Sequence, residues 1–234
     1  CVGACGISDI VSDKDFPLRE RLTKWGAPDI FLIERVYADL VGKKQQEPFF
    51  KTVLTLSSHE PFDVPVDKFD EPFLNAIHYT DQCIGNFIAK LKDSDLWNNT
   101  LVIFLADHAT QSYPREMGNS DSKRFHIPMI WTGGAIKDST EIKEFSSQND
   151  LAATLLSQLD IDHKDFKFSK NILNPTSRKF AFFSYVNGFC LMDSTGMVTY
   201  DNDREAVTEQ KGNPELEKQA KAFFQTMYLD LGNR

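Results

Sequence analysis

This 234-residue sequence predicts an α/β fold with a mainly parallel sheet and helices on both faces. Residues 101–106 form an unbroken apolar run, which is typical of a strand buried on both faces. A second strand is predicted over residues 49–56, and apolar positions between residues 74 and 94 recur at helical spacing. Strand, helix and strand in this order indicate a βαβ unit, whose crossover is right-handed almost without exception.

The other patterned segments extend this fold and then change character. Further elements are predicted as a helix from Pro28 to a stop at Gly42, a strand over 127–131 and a helix from Asp150 to Leu159. From about residue 180, short strand-like segments separated by turn-forming residues predict an antiparallel meander. An amphipathic helix is predicted over residues 214–231. We therefore predict two parts, residues 1–175 and residues 176–234, with the second packed on the first.

Composition excludes some classes of function. The net charge of -8 and the pI near 5.1 argue against a nucleic-acid-binding surface. No apolar run approaches the ~20 residues that a membrane-spanning helix needs. The four cysteines, at positions 1, 5, 83 and 190, lack the paired spacing of a zinc site, and they leave both the redox compartment and any disulfides open. The sequence does not begin with Met, and we expect it to be a piece of a longer protein.

Histidines follow both strands of the predicted βαβ unit. His59 lies in a polar loop after the first strand, and Asp107 and His108 come directly after the second. Because the carboxyl ends of parallel strands meet at one edge of a sheet, we expect these residues in one crevice. Asp and His are natural ligands for a divalent transition metal. The alternative is that Asp107 caps the next helix and His108 is an ordinary loop residue.

His126 is a weaker candidate for the same crevice. It precedes the predicted strand at 127–131, so it would lie at the opposite edge of the sheet unless the preceding loop folds over.

A series of sequence blocks resembles the C-terminal half of one enzyme family. That family is the sulfatase-like phosphoglycerol transferases, including the lipoteichoic acid synthases, of the alkaline phosphatase superfamily. The blocks are Thr55–Phe62, Tyr79–Asp81, Leu96–Thr100, Asp107-His108, Phe125–Trp131 and Asp150–Leu156. The resemblance covers roughly residues 8–162, and the ordered series is far more specific than any one block. It implies an alkaline-phosphatase-like fold, of which residues 1–175 would be the C-terminal half of the catalytic domain.

The resemblance also implies roles for individual residues. Asp107 and His108 would be ligands of one catalytic Mn²⁺ or Zn²⁺, with Mg²⁺ still open. His59 would contact the phosphate or glycerol group of the substrate and act in catalysis, and His126 is a weaker substrate-binding candidate. The family's Thr nucleophile and its acidic metal ligand would lie upstream, in an N-terminal half that this chain needs as a partner. We therefore expect the isolated chain to be inactive and to hold the metal weakly or not at all.

The function implied is a phosphoglycerol or phosphoethanolamine transferase, or a phosphodiester hydrolase, that acts on a cell-envelope glycan or lipid. Its expected location is outside the bacterial cytoplasm, in the periplasm or at the outer face of the cytoplasmic membrane, anchored by upstream transmembrane helices. A sulfatase is the alternative enzyme, although sulfatases that bind Ca²⁺ usually have Asp-Asn where this chain has Asp-His. A non-catalytic binding or structural domain is the alternative of another class. The donor, the acceptor and a homo-oligomeric state stay open.

Overall fold

The computed structural model describes residues 6–7, 9–42, 46–108, 110, 113 and 117–233. Its described helices are α1 (Asp29–Gly42), α2 (Pro72–Lys92), α3 (Asp150–Gln158) and α4 (Glu215–Gly232). Its described strands are β1 (Val102–Leu105), β2 (Met129–Thr132), β3 (Phe180–Tyr185), β4 (Gly188–Asp193), β5 (Gly196–Asp201) and β6 (Ala206–Gly212). Among the residues described, no helix is both long and apolar enough to cross a membrane.

The chain divides into two compact units, and residues 1–104 with 129–138 form the first. Within it, α1 packs against α2 around a core of Leu40, Phe87 and Leu91. These side chains meet because apolar residues recur on one stripe of each helix. Both helices and strand β1 lie where the sequence predicts them. β1 pairs with β2 in a two-stranded sheet.

The prediction of a strand over residues 49–56 is wrong. These residues are described, but none of them belongs to a strand, and the two described sheets contain only β1–β2 and β3–β6. A strand needs a neighbour that accepts and donates its backbone hydrogen bonds, and none of the described strand pairings includes this segment. Most of its apolar side chains are exposed, with Phe50 at 79% and Leu54 at 67%.

The second unit, residues 105–128 with 139–234, contains an antiparallel sheet in the order β3-β4-β5-β6. Helix α4 packs against β4 and β5. The apolar core between them includes Phe189, Leu191, Val198 and Leu216, each almost fully buried. The antiparallel unit predicted from about residue 180 is thus confirmed, as are the terminal helix and the helix at Asp150.

Strand β6 is an element that the sequence patterns did not reveal. Its residues are mostly polar and alternate between exposed and half-buried positions. A polar strand at the edge of a sheet carries little apolar signal, because only one of its faces touches the core. Its pairing with β5, which includes an irregularity at Thr199 and Tyr200, is a consequence of the tertiary fold.

Candidate functional site

Asp107 and His108 occupy the turn that follows strand β1, as the sequence predicts. The His108 backbone N–H donates to Asp107 Oδ1 at 3.0 Å, which is possible because the chain leaves the strand at this point. His108 Nε2 lies 3.7 Å from Asp107 Oδ2. Both side chains are mainly exposed, Asp107 at 74% and His108 at 66%. The turn therefore presents a carboxylate and an imidazole side by side to solvent.

The spacing of these two groups fits a shared divalent cation. Ligand atoms of Zn²⁺ each lie ~2.0–2.2 Å from the ion, so two of them can be separated by up to about 4 Å. The 3.7 Å between Asp107 Oδ2 and His108 Nε2 lies within that span. Across the described residues, however, no group of three or more His, Cys, Asp or Glu converges as a metal site would require. The pair fits part of a coordination shell.

The backbone of this turn is held by a side chain that sequence reasoning missed. The Gln148 amide nitrogen donates to the carbonyl oxygen of Ala106 at 2.6 Å and to that of Asp107 at 2.8 Å. The two carbonyls belong to the two peptide planes on either side of the Asp107 Cα, from which the Asp107 side chain extends. The amide of Gln148 therefore spans the exit from strand β1.

Gln148 precedes helix α3 in a loop that is itself anchored. Asp150, fully buried, accepts hydrogen bonds from the Ser147 backbone N–H at 2.8 Å and from Lys170 through both its backbone N–H (2.8 Å) and its ammonium (2.7 Å). The Lys170 ammonium also lies 3.9 Å from the centre of the Phe180 ring. Burial lowers the pKa of Lys170, and the carboxylate of Asp150 opposes that shift. This buried ion pair fixes the start of α3.

His59 lies in the first unit, in the loop after residues 49–56. Its ring packs edge-on against Trp25, with ring centres 4.6 Å apart. His59 Nδ1 is 2.9 Å from the carbonyl oxygen of Glu60, which also accepts the indole N–H of Trp25 at 2.6 Å. In the tautomer with a proton on Nδ1, Nδ1 donates that proton to the Glu60 carbonyl and Nε2 points away from it. The exposed ring is thus oriented for contact through Nε2.

A buried carboxylate positions the loop that carries His59. Asp29, fully buried at the start of α1, accepts the backbone N–H groups of Leu56 (2.7 Å) and Ser57 (3.1 Å) and the hydroxyl of Thr80 (2.7 Å). The Asp29 N–H in turn donates to Ser57 Oγ at 2.9 Å. Leu56 then accepts the backbone N–H of His59 at 3.0 Å. The turn is therefore tied to both helices of the first unit.

His126 is an exposed residue at the end of a short 3₁₀ helix, Ser122–Phe125, in the same unit as Asp107 and His108. Its neighbour Phe125 stacks on Phe183 of β3, with ring centres 3.9 Å apart. A substrate-binding role for His126 stays a prediction, as does the common crevice for His59 and the Asp107–His108 pair. Cys83 and Cys190 are free and buried, whereas Cys1 and Cys5 lie outside the described residues.

Sequence signals for the supporting residues were present but weak. Asp150 opens a predicted helix and suggested an ordinary cap, whereas Asp29 follows Pro28 at a helix start and had no role assigned to it. Their complete burial is what separates them from caps, and burial depends on partners distant in sequence. Gln148 had no signal of its own, because its partners are backbone carbonyls about 40 residues away.

Comparison with solved structures identifies the fold. A protein in the alkaline phosphatase superfamily from Vibrio parahaemolyticus matches with a TM-score of 0.77, over 94% of this chain and 59% of that chain, at 24% identity. This chain therefore shares the mixed α/β fold of that protein, as the sequence predicts.

Comparison with protein families identifies the class. The family model described as Sulfatase matches residues 5–161, and the chain belongs to the sulfatase family. Lipoteichoic acid synthase-like YvgJ of Bacillus subtilis is 25% identical over 83% of this chain and 37% of that protein. Phosphoglycerol transferase I of Xanthomonas campestris is 23% identical over 66% of this chain and 23% of that protein. The chain spans well under half the length of these relatives.

Proposed function

We propose that this chain is the metal-ligand-bearing part of a phosphoglycerol or phosphoethanolamine transferase, or of a phosphodiester hydrolase, within the sulfatase family. The observation that carries the proposal is the Asp107–His108 turn, where a carboxylate oxygen and an imidazole nitrogen are 3.7 Å apart after a sheet strand. An Asp-His pair favours a borderline metal such as Mn²⁺ or Zn²⁺ over Ca²⁺, which prefers oxygen ligands alone. Relatives named lipoteichoic acid synthase and phosphoglycerol transferase support phosphate chemistry.

Each proposed site residue has a distinct task. Asp107 and His108 would hold the cation, which when bound supplies charge neutralisation for a phosphoryl group in transfer. His59 would bind a phosphate oxygen or protonate the leaving alcohol through Nε2, because Nδ1 is directed at the Glu60 carbonyl. The edge-on contact with Trp25 holds the ring in that orientation. The nucleophile would come from the rest of the protein, and the acceptor would be a cell-envelope glycan or lipid.

The location proposed for the whole protein follows from this substrate class. Glycan and lipid acceptors of the envelope lie outside the cytoplasm, so the catalytic domain would act at the outer face of the cytoplasmic membrane or in the periplasm. Fractionation of cells with an antibody against this chain would test it. Recovery of the protein from the cytosol would contradict the proposed location.

Substitution of the three site residues in the full-length protein tests the assignment of roles. Asp107→Ala and His108→Ala should each abolish Mn²⁺ binding, measured by calorimetry, together with turnover of a phosphodiester substrate. His59→Ala should leave Mn²⁺ binding unchanged and lower turnover by about 10²–10⁴-fold, the range of a lost general acid or base. Loss of Mn²⁺ in His59→Ala with retention in His108→Ala would show that the roles are reversed.

A sulfatase activity is the second candidate, because the matching family model carries that description. Parallel assays with bis(4-nitrophenyl) phosphate and 4-nitrophenyl sulfate discriminate the two. The proposal predicts that the phosphodiester is turned over at a rate that depends on Asp107 and His108, and that the sulfate ester is not. Preference for the sulfate ester would replace the transferase proposal with the sulfatase one.

A further inference from the structure

We propose that Gln148 is a positioning residue that fixes the turn carrying Asp107 and His108, and thereby the geometry of the ligand pair. This inference rests on the function proposed above, since it assigns a task only if that pair binds a cation. Gln148 belongs to none of the sequence blocks that point to chemistry. Its amide nevertheless makes two short hydrogen bonds at the turn, 2.6 Å to Ala106 and 2.8 Å to Asp107.

The two acceptors explain why this contact controls orientation. Successive residues of an extended strand point to opposite faces, so adjacent ligands can meet only where the backbone turns. Ala106 and Asp107 directly follow Leu105, the last residue of β1, where the turn begins. An amide nitrogen with two hydrogens can donate to both of their carbonyls at once and hold the two peptide planes in a fixed relation. The side chains of Asp107 and His108 are then presented from a restrained backbone.

Gln148 acts on the backbone carbonyls rather than on the ligand side chains. It therefore restrains the turn while the Asp107 carboxylate and the His108 imidazole keep their 3.7 Å approach to each other. Groups that orient metal ligands from outside the coordination shell typically change metal affinity by 10- to 100-fold when they are removed. A restraint on the backbone of both ligands belongs in the same range.

A positioning residue must itself be held, and the loop around Gln148 meets this condition. On one side, Ser147 Oγ accepts the Phe182 N–H at 2.8 Å and donates to the Phe182 carbonyl at 3.3 Å, which ties the loop to strand β3. On the other side, Asn149 donates to the Phe168 carbonyl at 2.6 Å. Asp150 follows, fully buried and paired with Lys170. Gln148 thus extends from a loop anchored on both flanks.

The test compares Gln148→Met with Asn149→Ala in the full-length protein. Gln148→Met keeps the length of the side chain and removes both hydrogen-bond donors, without adding a charge near the cation. Asn149→Ala is the matched control, because it removes a neighbouring loop amide that bonds a carbonyl away from the turn. Each variant is titrated with Mn²⁺ by calorimetry and unfolded in urea, so that metal affinity and stability are measured separately.

We expect Gln148→Met to weaken Mn²⁺ binding by about tenfold or more, with a urea midpoint no lower than that of Asn149→Ala. Mn²⁺ affinity within twofold of wild type in Gln148→Met would overturn the inference, as would an equal loss in Asn149→Ala. Asp107→Ala separates the two proposals. If it abolishes Mn²⁺ binding while Gln148→Met does not, only the role of Gln148 fails. If the wild type does not bind Mn²⁺, or if Asp107→Ala binds Mn²⁺ as tightly as the wild type, the proposed function fails and the role of Gln148 fails with it.

Discussion

Replacement of Asp29 by Ala is the most informative perturbation of the first unit. The substitution removes one carboxylate that accepts three hydrogen bonds, from Leu56, Ser57 and Thr80. Hydrogen bonds to a charged acceptor contribute about 1.5–3 kcal/mol each, and a buried donor left unpaired costs about 1–3 kcal/mol. Thr80 can rotate its hydroxyl to another acceptor, whereas the two backbone N–H groups cannot move so easily. We therefore expect Asp29→Ala to lower the free energy of unfolding by about 3–5 kcal/mol.

Tryptophan fluorescence during urea unfolding measures this loss selectively. The protein has three tryptophans, at positions 25, 97 and 131, and all lie in the first unit. With a slope of about 2 kcal/mol per molar urea, the midpoint should fall by about 1.5–2.5 M. Asp29→Asn should cost only about 1 kcal/mol, because its amide oxygen can still accept the two backbone N–H groups.

Glu34→Ala is the control for Asp29→Ala. Glu34 lies on the same helix, is exposed, and pairs with Lys90 at 3.3 Å across mainly exposed side chains. A surface ion pair contributes only about 0–1 kcal/mol, so this variant should unfold close to wild type. A cost below about 1 kcal/mol for Asp29→Ala would refute the hydrogen-bond argument. Equal costs for Asp29→Ala and Asp29→Asn would show that the charge, and not the number of acceptors, stabilises the loop.

Three further predictions concern burial and backbone geometry. Burial raises the pKa of Tyr79 from 10.0 to about 12, so the folded chain keeps the phenol proton at a pH where the unfolded chain has lost it. The free energy of unfolding of the wild type, measured in urea, should therefore fall as the pH rises from 10.0 toward 12. Tyr79→Phe should not show this alkaline decrease in the free energy of unfolding, and an identical decrease in the variant would contradict the prediction. Burial also raises the pKa of Cys190 to about 11, so the native thiol should resist iodoacetamide in mass spectrometry, and rapid labelling before unfolding would contradict this. Gly133 has φ +114, and an added Cβ would lie 2.1 Å from the Thr100 carbonyl oxygen. Gly133→Ala should therefore lower the free energy of unfolding by about 2 kcal/mol or more, and urea unfolding like that of wild type would refute this.

The sequence by itself determined the elements whose signal is local. The apolar run at β1, the helical spacing in α1 and α2, and the turn residues between β3, β4 and β5 each lie within a few residues of one another. Such patterns reflect backbone geometry and one-sided burial, which act over short stretches. The position of Asp107 and His108 after β1 followed from the same signal. Family membership likewise followed from the ordered blocks, and the family match over residues 5–161 confirmed it.

The tertiary structure alone decided whether those local preferences were realised. Residues 49–56 have the composition of a strand, yet they form none in the described chain, because a strand requires a partner that the local pattern cannot specify. β6 is the converse case, a polar segment made a strand by its pairing with β5.

The supporting residues of the candidate site show the same division. In the sequence Asp150 looks like an ordinary helix cap and Asp29 like a residue of a first helical turn, and only the folded chain buries them among hydrogen-bond donors from other elements. Gln148 meets its two carbonyl acceptors only through folding, because about 40 residues separate it from them. The sequence thus determined which residues could carry the chemistry. Long-range hydrogen bonds, which no short pattern encodes, decided which other residues hold them in place.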